Sequence, residues 1–306
     1  MTTYLVTGGC GFIGINLAAQ LLRRGHLVRV LDNLSTGNRE DLDARVELQI
    51  GDLRDANAVR KACQRVDTVV HLAAHTRVVD SVSNPEMNFE INAIGTMNVL
   101  QACRAAGVKK LIFASTGGAI LGEQEPPVHE GMVPRPVSPY GASKLAGEAY
   151  CSAFCGSYGL NTVMLRFSNV YGPYSYHKGS VVAQFFKDLM QKRPLVVYGD
   201  GHQTRDFLYV ADLVDAVLLA ASANTPGEVF QIASGRETSI RTLLETMKKV
   251  LPEIIPDVRY ESARAGEIRR NYASIEKARR MLGFNPKTSL EEGLANTWQW
   301  FNSPRC

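Results

Sequence analysis

A tyrosine and a lysine in this chain of 306 residues have the spacing of a proton-transfer pair. Tyr140 and Lys144 are four residues apart, so on a helix their side chains lie on the same face. A free tyrosine has a pKa of about 10, too high for a base at neutral pH. A nearby lysine ammonium stabilises the phenolate, so the pair could accept a proton from a hydroxyl group. An ordinary surface pair at helical spacing is the alternative, and the pair alone does not decide between the two.

A glycine-rich segment near the N-terminus indicates where a phosphate group would bind. The segment TGGCGFIG has the spacing Gly8-x-x-Gly11-x-x-Gly14. It follows the apolar run Tyr4–Val6, which predicts a buried strand, and it opens the amphipathic stretch Phe12–Arg24. In that setting the glycines let the backbone approach a dinucleotide pyrophosphate, and the helix N-terminus offers N–H groups to it.

An aspartate lies where such a site needs a carboxylate. The next predicted strand, Leu27–Leu31, ends at Asp32, about 20 residues beyond the glycines, as is typical of dinucleotide sites. A carboxylate there accepts hydrogen bonds from the adenosine ribose and would repel a 2′-phosphate. The pattern therefore predicts NAD rather than NADP. Together with Tyr140 and Lys144, it indicates hydride chemistry on a hydroxyl or carbonyl carbon.

With these motifs in place, the chain resembles the extended short-chain dehydrogenase/reductase superfamily, in its nucleotide-sugar epimerase/dehydratase branch. The resemblance runs over nearly the whole chain. Besides the two motifs above, six further segments carry it: Asp32–Gly37, Gly51–Asp55, His71–Ala74, Asn92–Thr96, Asn169–Pro173 and Arg205–Asp212. So many matches in the same order are not expected by chance.

The resemblance implies a set of NAD-binding residues. In this set Asp52 and Leu53 flank the adenine, Ala73 and Ala74 line the cofactor cleft, and Asn92 helps to order the catalytic helix. The full implied set is Gly8, Gly11, Phe12, Ile13, Gly14, Asp32, Asn33, Ser35, Thr36, Gly37, Asp52, Leu53, Leu72, Ala73, Ala74, Asn92, Tyr140 and Lys144.

The resemblance also implies the residues that bind the substrate. Arg205 and Arg264 are ligands of a nucleotide diphosphate, Glu267 binds the nucleotide's ribose and Asn169 its pyrophosphate. Guanidinium groups suit this role because they bind phosphate oxygens with two parallel hydrogen bonds and stay charged. A surface ion pair is the alternative for these arginines. Asn271 falls on a position that faces the sugar ring, where a short side chain leaves room for an N-acetyl group at C2.

The segment STGGAILG, which begins at Ser115, departs from the family pattern S-S-S-x-x-V-Y-G. The catalytic hydroxyl of that pattern falls on Gly117 here, so its role passes to Thr116 or Ser115. The same segment separates two reactions. A 4,6-dehydratase removes water with an acid and a base, which that class carries as Asp-Glu directly after its threonine, and Gly117 and Gly118 cannot supply them.

The resemblance therefore implies NAD-dependent 4-epimerisation of a nucleotide sugar of the UDP-glucose/UDP-galactose type, through a transient 4-keto sugar. Three alternatives stay open: epimerisation of UDP-N-acetylglucosamine or UDP-glucuronate, a dehydratase or decarboxylase reaction on the same fold, and a catalytically idle NAD-sensing interaction protein. A carboxylate on the substrate could meet Lys178, Arg269 or Arg270, although solvent exposure is the simpler expectation for these side chains.

The hydrophobic pattern predicts the elements that must hold these residues. Strand-like runs alternate with helical stretches, which is typical of a Rossmann-type α/β fold with a doubly wound parallel sheet. The predicted strands are Tyr4–Val6, Leu27–Leu31, Val46–Ile50, Thr68–His71, Lys110–Ala114 and Thr162–Arg166. The predicted helices include Phe12–Arg24, Pro85–Ala106 and Tyr140–Tyr158.

The pattern changes after Pro173, where glycines, prolines and tyrosines separate shorter elements. We predict an NAD-binding Rossmann domain over 1–170 and a smaller α/β C-terminal lobe over 171–306 that mainly binds the nucleotide sugar. Segments near 203–234, around Phe207 and Val229–Ala233, are candidates for returning to the main sheet.

Composition and charge limit the possible partners. A hydrophobic share of 45%, a charged share of 21% and a net charge of +4 are ordinary for a globular protein, and no long basic run indicates nucleic acid. No apolar run of about 18 residues predicts a membrane span. The six cysteines and the histidines lack metal-ligand spacing, so no metal is expected. We expect a cytoplasmic protein, and the resemblance implies a homodimer formed through a helix bundle that includes Tyr140–Tyr158.

Overall fold

The computed structural model describes residues 1–253, 257–263 and 268–303. Strands and helices alternate along most of this chain. The strands are β1 (Thr3–Thr7), β2 (Leu27–Asp32), β3 (Glu47–Ile50), β4 (Thr68–His71), β5 (Lys110–Thr116), β6 (Asn161–Phe167), β7 (Asn169–Tyr171), β8 (Leu195–Tyr198), β9 (Thr204–Arg205), β10 (Phe207–Tyr209), β11 (Val229–Ile232), β12 (Thr238–Ser239) and β13 (Val258–Glu261). The α-helices are α1 (Phe12–Arg23), α2 (Ala56–Ala62), α3 (Val78–Ser83), α4 (Pro85–Phe89), α5 (Gly95–Ala106), α6 (Gly117–Leu121), α7 (Pro139–Tyr158), α8 (Val181–Met190), α9 (Val210–Ser222), α10 (Ile240–Val250), α11 (Glu276–Leu282) and α12 (Leu290–Phe301).

Seven strands form one parallel sheet in the order β11-β6-β5-β4-β1-β2-β3. The chain builds outward from β1 to β3 in one direction and from β4 to β11 in the other, so the strand order reverses between β1 and β4. This confirms the predicted α/β fold with a doubly wound sheet. The six predicted strands all lie in this sheet, and their ends differ from the observed ones by two residues or fewer.

Helices cover both faces of the sheet and bury two apolar cores against it. Neighbouring residues of β1 belong to opposite cores, because side chains alternate across a strand. Val6 lies in the core with Leu17 of α1 and Leu213 of α9. Leu5 lies in the core with Phe154 of α7. Burial on both faces explains why the central strands are continuous apolar runs.

Helix α7 carries the predicted proton-transfer pair, and the local sequence fixes both of its ends. Ser138 caps its start, since the serine hydroxyl accepts a hydrogen bond from the Gly141 N–H at 3.2 Å. Pro139 occupies the first turn, where its missing N–H costs nothing. The helix ends before Gly159, which adopts a left-handed conformation with φ of 68°.

The stretch Pro85–Ala106, predicted as one helix, is helical throughout but contains a π-helical segment. Helix α4 continues into the π-helix Glu90–Ile94, which continues into α5. A π-helical turn holds one residue more than an α-helical turn, so it changes the direction of the side chains that it carries. Asn92 lies within it and is buried against α7.

A third apolar core lies in the C-terminal part of the chain, between α8, α10 and α12. Phe185, Phe186, Leu243 and Phe301 are buried in it. The remaining described strands form two-stranded sheets, in which β7 pairs with β10, β8 with β13 and β9 with β12. Within the described ranges, no helix has both the length and the apolar character needed to cross a membrane.

Of the two segments considered for return to the main sheet, only one returns. Strand β11 pairs with β6 at the sheet edge, with Val229 opposite Met164. The prediction for Phe207 is wrong, because β10 pairs with β7 in a separate sheet, with Phe207 opposite Asn169. Phe207 is buried in the third core, and this packing holds its strand away from the main sheet. The division into two domains at residue 170 stays a proposal, since the chain passes between the two parts more than once.

Candidate active site

The carboxyl ends of β1, β2, β4 and β5 border one cavity of about 460 Å³. It lies where the strand order reverses, which is where ligands bind in open parallel sheets. The predicted residues that line it are Gly8, Gly11, Phe12, Ile13, Gly14, Asp32, Asn33, Ser35, Thr36, Asp52, Leu53, Leu72, Ala73, Ala74, Ser115, Thr116, Tyr140 and Lys144. Among the described residues of the predicted set, those that do not line it are Gly37, Asn92, Asn169, Arg205 and Asn271.

The glycine segment forms a turn that no larger residue could complete. Gly8 has a φ of 70°, and a Cβ there would lie 2.8 Å from the Cα of Ala73. A Cβ on Gly14 would lie 2.5 Å from the Cα of Gly9. Helix α1 begins directly after this turn, and no side chain caps its first N–H groups. The turn and the helix N-terminus therefore fit the pyrophosphate of a dinucleotide such as NAD.

Asp32 joins the end of β2 to the glycine segment. Its carboxylate accepts hydrogen bonds from the backbone N–H groups of Cys10, at 2.9 Å, and Leu34, at 2.8 Å. Asp32 is 8% exposed and lines the cavity, so its position suits a ribose hydroxyl. Gly37 does not itself line the cavity, and a Cβ there would lie 2.7 Å from the carbonyl carbon of Cys10. It lets the following loop pack against the glycine segment.

Asp52 and Leu53, which the resemblance places beside the adenine, line the cavity just after β3. Asp52 accepts hydrogen bonds from Arg54 and from Asn33 Nδ2, the latter at 2.9 Å. The Arg54 guanidinium holds the pKa of the Asp52 carboxyl well below its usual range. Leu53 follows on the cavity wall and supplies an apolar surface for a planar base.

Asn92 links three elements beneath the cavity instead of lining it. Its side-chain oxygen accepts from the His75 N–H at 2.8 Å, in the loop after β4. Its amide Nδ2 donates to Ser143 Oγ of α7 at 3.1 Å. Tyr140, three residues before Ser143, is held from the other side, because its N–H donates to Ser81 Oγ at 3.2 Å. These contacts fix the start of α7, in line with the ordering role implied for Asn92.

Tyr140 and Lys144 lie on the face of α7 that lines the cavity, as the helical spacing predicts. Burial raises the pKa of Tyr140 to about 12. Burial lowers the pKa of Lys144 to about 8, while Cys151 and Glu148 act in the opposite direction. Lys144 Nζ donates to the Ala114 carbonyl oxygen at 2.8 Å, at the cavity end of β5. A phenol with this pKa stays protonated near neutral pH, and positive charge placed beside it would favour the phenolate.

The structure distinguishes the two candidate hydroxyls at the end of β5. Ser115 is 4% exposed, and its Oγ donates to Glu148 Oε1 at 2.6 Å, so its hydrogen is committed to a buried carboxylate. Thr116 is half-buried on the cavity wall, and its hydroxyl does not cap α6, which begins after it. Thr116 is the better placed of the two to contact a substrate.

The two glycines after Thr116 are closely packed. A Cβ on Gly117 would lie 2.6 Å from Gln231 Oε1, and a Cβ on Gly118 would lie 2.5 Å from Asn271 Nδ2. An aspartate and a glutamate at these positions would require Gln231 and Asn271 to move. Gly117 and Gly118 themselves carry neither an acid nor a base, so no acid–base pair follows Thr116.

Apart from Thr116, the predicted substrate-binding residues lie beyond the cavity wall or outside the described residues. Arg205 Nη1 donates to the carbonyl oxygens of Thr204, at 2.7 Å, and Ile268, at 2.8 Å, so backbone contacts hold the guanidinium. Asn169 begins β7, opposite Phe207. Asn271 lies against Gly118, close to the end of β5. Arg264 and Glu267 lie outside the described residues.

Sequence reasoning missed part of the cavity wall and misjudged one lysine. Ser168, Tyr174 and His177 line the cavity, and so does Lys178, for which solvent exposure was expected. Lys178 Nζ donates to the Val170 carbonyl oxygen at 2.6 Å, and burial lowers its pKa to about 8. These residues follow the carboxyl ends of β6 and β7. Their position after strand ends is the sequence feature that could have identified them as lining residues.

Arg269 and Arg270, the other two candidate partners for a substrate carboxylate, do not line the cavity. Arg270 is engaged by Glu237 at 2.8 Å and by Glu125 at 2.9 Å. Arg269 lies 3.8 Å from Asp200 and is largely exposed. Lys178 is therefore the one of the three that lines the cavity. No group of three His, Cys, Asp or Glu side chains in the described ranges is arranged to hold a metal ion.

Comparison with known proteins agrees with the site. The model of the NAD dependent epimerase/dehydratase family matches residues 4–233. A putative UDP-glucose 4-epimerase from Methanocaldococcus jannaschii is 38% identical to this chain over 303 residues, which cover 98% of each of the two proteins.

Solved structures agree as well. The crystal structure of a UDP-glucose 4-epimerase with UDP-glucose from Thermotoga maritima matches with a TM-score of 0.93 and 38% identity, over 98% of both chains. The Thermus thermophilus UDP-glucose 4-epimerase in complex with NAD matches with a TM-score of 0.91 and 39% identity, also over 98% of both chains. The predictions of NAD and of the extended dehydrogenase/reductase fold are thereby confirmed. With its glycine turn, Asp32 and the Tyr140–Lys144 pair around one cavity, and with the family model matching well over half of its length, the chain belongs to the NAD-dependent epimerase/dehydratase family.

Proposed function

We propose that the chain is an NAD-dependent isomerase that interconverts the C4 epimers of a UDP-sugar of the UDP-glucose/UDP-galactose type. One observation carries the proposal. A single cavity brings the glycine segment together with Thr116, Tyr140 and Lys144, and two glycines follow Thr116 where a dehydration would need an acid and a base. The relatives described above, which are named UDP-glucose 4-epimerases, support the same reaction.

The residues of the cavity have separate tasks in this reaction. Bound NAD would take up the C4 hydride and return it to the other face of the sugar, so no net oxidation occurs. Tyr140, as phenolate, accepts the proton of the C4 hydroxyl and later gives it back. Thr116 offers a hydrogen bond to the same sugar oxygen. Lys144, one helical turn from Tyr140, supplies positive charge to the phenolate.

The pKa of Tyr140 determines how much the phenolate must be stabilised before it can act as a base. Burial raises it to about 12 in the protein alone. Bringing it to about 7 requires roughly 7 kcal/mol of preferential stabilisation of the phenolate, since one pKa unit corresponds to about 1.4 kcal/mol. Lys144 and a positively charged cofactor ring are the charges placed to supply it, so we propose that Tyr140 becomes a base only after the cofactor binds.

The keto sugar must turn over between the two hydride transfers while its nucleotide stays in place. We propose that Arg205 and Asn169 hold the diphosphate, together with Arg264 and Glu267. Two backbone carbonyl groups hold the Arg205 side chain, which lowers the entropy that it would lose on binding a phosphate. Anchoring the charged part leaves the sugar free to rotate.

Two features support a wider range of sugars as a second candidate. Asn271, which packs against Gly118, falls on the position that the resemblance places near the sugar ring, and it is smaller than a tyrosine there would be. This favours an N-acetyl group at C2 as a tolerated substituent. Lys178 on the cavity wall could pair with the carboxylate of UDP-glucuronate.

We also propose a homodimer, formed between the same faces of two copies. Large apolar side chains on α3, α4, the π-helix and α7 are exposed in one chain: Val79 (72%), Val82 (62%), Phe89 (56%), Ile94 (44%) and Tyr150 (47%). Their position on neighbouring helices fits the helix bundle implied for the family. In sedimentation velocity, Phe89→Glu should give a monomer, whereas Val133→Glu, at an exposed apolar residue in a loop, should not. A cytoplasmic location stays a prediction.

Proton NMR of the protein with catalytic NAD tests the reaction and the sugar together. UDP-glucose, UDP-N-acetylglucosamine, UDP-glucuronate and dTDP-glucose are incubated separately. A new anomeric signal of the C4 epimer without net NADH is the expected result, first of all with UDP-glucose. A 4-keto-6-deoxy product or a pentose would contradict the proposal, and no turnover of any of the four sugars would favour a different nucleotide sugar or the idle NAD-sensing alternative. The Tyr140→Phe variant, which lacks the proposed base, is the negative control.

A further inference from the structure

A buried charged cluster lies beneath the cavity, one turn of α7 beyond Lys144. Glu148 follows Lys144 by four residues, just as Lys144 follows Tyr140, so the three share one face of the helix. Arg166 of β6 binds both carboxylate oxygens of Glu148, with Nε–Oε1 of 2.9 Å and Nη2–Oε2 of 2.7 Å. Ser115 of β5 donates to Oε1 at 2.6 Å. Glu148, Arg166 and Ser115 are each 5% exposed or less.

This arrangement differs from the pairing that the helix alone would favour. A lysine and a glutamate four residues apart on a helix attract each other. Among the described residues, however, the salt-bridge partner of Glu148 is Arg166 and not Lys144. Lys144 Nζ is directed to the Ala114 carbonyl oxygen, at the cavity end of β5. Arg166 therefore occupies the carboxylate that would otherwise attract the lysine ammonium.

The charges around Lys144 are consistent with Arg166 neutralising Glu148. Lys144 and Arg166 are cations and Glu148 is an anion. His71 on β4 is neutral, because burial lowers its pKa to about 3. Cys151 on α7 is neutral as well, because burial raises the pKa of its thiol well above the usual range. The buried set thus carries one excess positive charge, and a phenolate at the nearby tyrosine would balance it.

We propose that Arg166 is a positioning residue for the reaction: by binding Glu148 with both nitrogens, it keeps that carboxylate from Lys144 and so leaves the ammonium at the cavity end of β5, one helical turn from Tyr140. The inference rests on the proposed function, because it assigns the ammonium a part in the proton transfer. It adds a requirement that the tyrosine–lysine pair alone does not contain, namely a second cation that neutralises Glu148.

The Arg166→Met variant removes the competing cation. Glu148 then attracts Lys144, the ammonium withdraws from Tyr140, and the pKa of the tyrosine in the NAD complex rises. Because turnover needs the phenolate, activity is lost as the pH falls through this pKa. The acid limb of the kcat profile should therefore move to higher pH by about one unit, with a roughly tenfold lower kcat at neutral pH. KM for the nucleotide sugar should change little.

The Glu148→Gln variant leaves Arg166 buried and unpaired near Lys144. A second cation nearby favours the neutral lysine, so the alkaline limb of the profile should move to lower pH. The double variant Glu148→Gln/Arg166→Met removes both the attraction and the excess charge. It should restore both limbs and return kcat to within about threefold of the wild type, because the net charge near Lys144 is then the same as in the wild type. A purely structural role also predicts that stability recovers in the double variant, but it predicts no shift of either limb in the single variants.

Two further measurements complete the test. The ultraviolet absorbance of tyrosinate, taken as the difference between each protein and its Tyr140→Phe counterpart with NAD bound, reports the tyrosine pKa without turnover.

Arg193→Met is the matched control. It breaks a more exposed arginine–aspartate pair, with Asp188, and should leave the pH profile unchanged. If Arg166→Met does not fold, Arg166→Lys keeps the charge without the planar fork and should give a smaller shift in the same direction.

The outcomes separate the two proposals. A wild-type pH profile in Arg166→Met, or in Arg166→Lys where that variant must serve, overturns the positioning role, and so does a double variant no better than the single ones. Wild-type protein that epimerises none of the sugars contradicts the proposed function instead. The tyrosinate titration would then still show whether Arg166 governs the charge beside Tyr140.

Discussion

The carboxylate of Asp32 accepts a hydrogen bond from the backbone N–H of Cys10 at 2.9 Å. This bond joins the end of β2 to the glycine segment, so the group placed for the cofactor ribose also fixes the turn placed for its pyrophosphate. The two halves of the candidate dinucleotide site are therefore joined by a direct hydrogen bond.

Asp32→Asn should weaken NAD binding by about tenfold, because an amide accepts weaker hydrogen bonds than a carboxylate, and charged hydrogen bonds contribute about 1.5–3 kcal/mol. The preference for NAD over NADP should fall as well, since the charge that repels a 2′-phosphate is lost. Quenching of protein fluorescence by each cofactor measures both effects. The exposed Asp215→Asn variant is the control, and unchanged cofactor preference in Asp32→Asn would refute the ribose role.

Tyr140→Phe should abolish turnover and leave NAD affinity nearly unchanged, since the ring still fills its place on α7. In the protein alone, burial raises the pKa of Tyr140 to about 12, so its tyrosinate should form only above that pH. With NAD bound the titration should move to lower pH. Ultraviolet titration with and without NAD measures the shift, and equal curves would argue against Tyr140 as the base.

Thr116→Ala should lower kcat by about tenfold to a hundredfold, because it removes a hydrogen bond to the reacting oxygen. Ser115→Ala should cost less in kcat and more in stability, since the Ser115 hydroxyl already donates to the buried Glu148. Steady-state kinetics and urea unfolding of the two variants compare these effects directly. A larger loss of kcat in Ser115→Ala would reverse the assignment.

His71 should make the protein sensitive to acid. Its ring is hydrogen-bonded to Thr7 and Thr96, and burial lowers its pKa from the usual 6.5 to about 3. Between these values the unfolded chain binds a proton that the folded protein does not, so stability falls as the pH is lowered from 6.5 towards 3. The slope from this group is about 1.4 kcal/mol per pH unit. Urea unfolding of the wild type and His71→Gln should show this difference, whereas His202→Gln, at an exposed histidine, should match the wild type.

The sequence by itself determined the sheet and the cofactor site. Tyr4–Val6 and Thr68–His71 are short apolar runs whose burial on both faces follows from their composition. The glycine spacing, Asp32 and the Tyr140–Lys144 pair are local patterns as well, in which a turn or one helical repeat fixes the geometry. Such features can be predicted because neighbouring residues alone decide them.

Only the tertiary structure decided between groups that look alike in sequence. Ser115 and Thr116 are adjacent hydroxyls, and the approach of Glu148 from α7 distinguishes them. Phe207 reads as a strand that could join the main sheet, yet the C-terminal core holds it elsewhere. Lys178 reads as a surface lysine, but its loop folds over the cavity.

The pairing of Glu148 shows most clearly what a local sequence pattern cannot predict. Local spacing favours Lys144, four residues away, but Arg166 from a neighbouring strand takes the carboxylate instead. Pairing between residues distant in the chain depends on the sheet register and on helix packing, and no local pattern records either. The sequence therefore determined the glycine turn, Asp32 and the tyrosine–lysine pair, whereas the tertiary structure decided which further groups line the cavity and which charges pair beneath it.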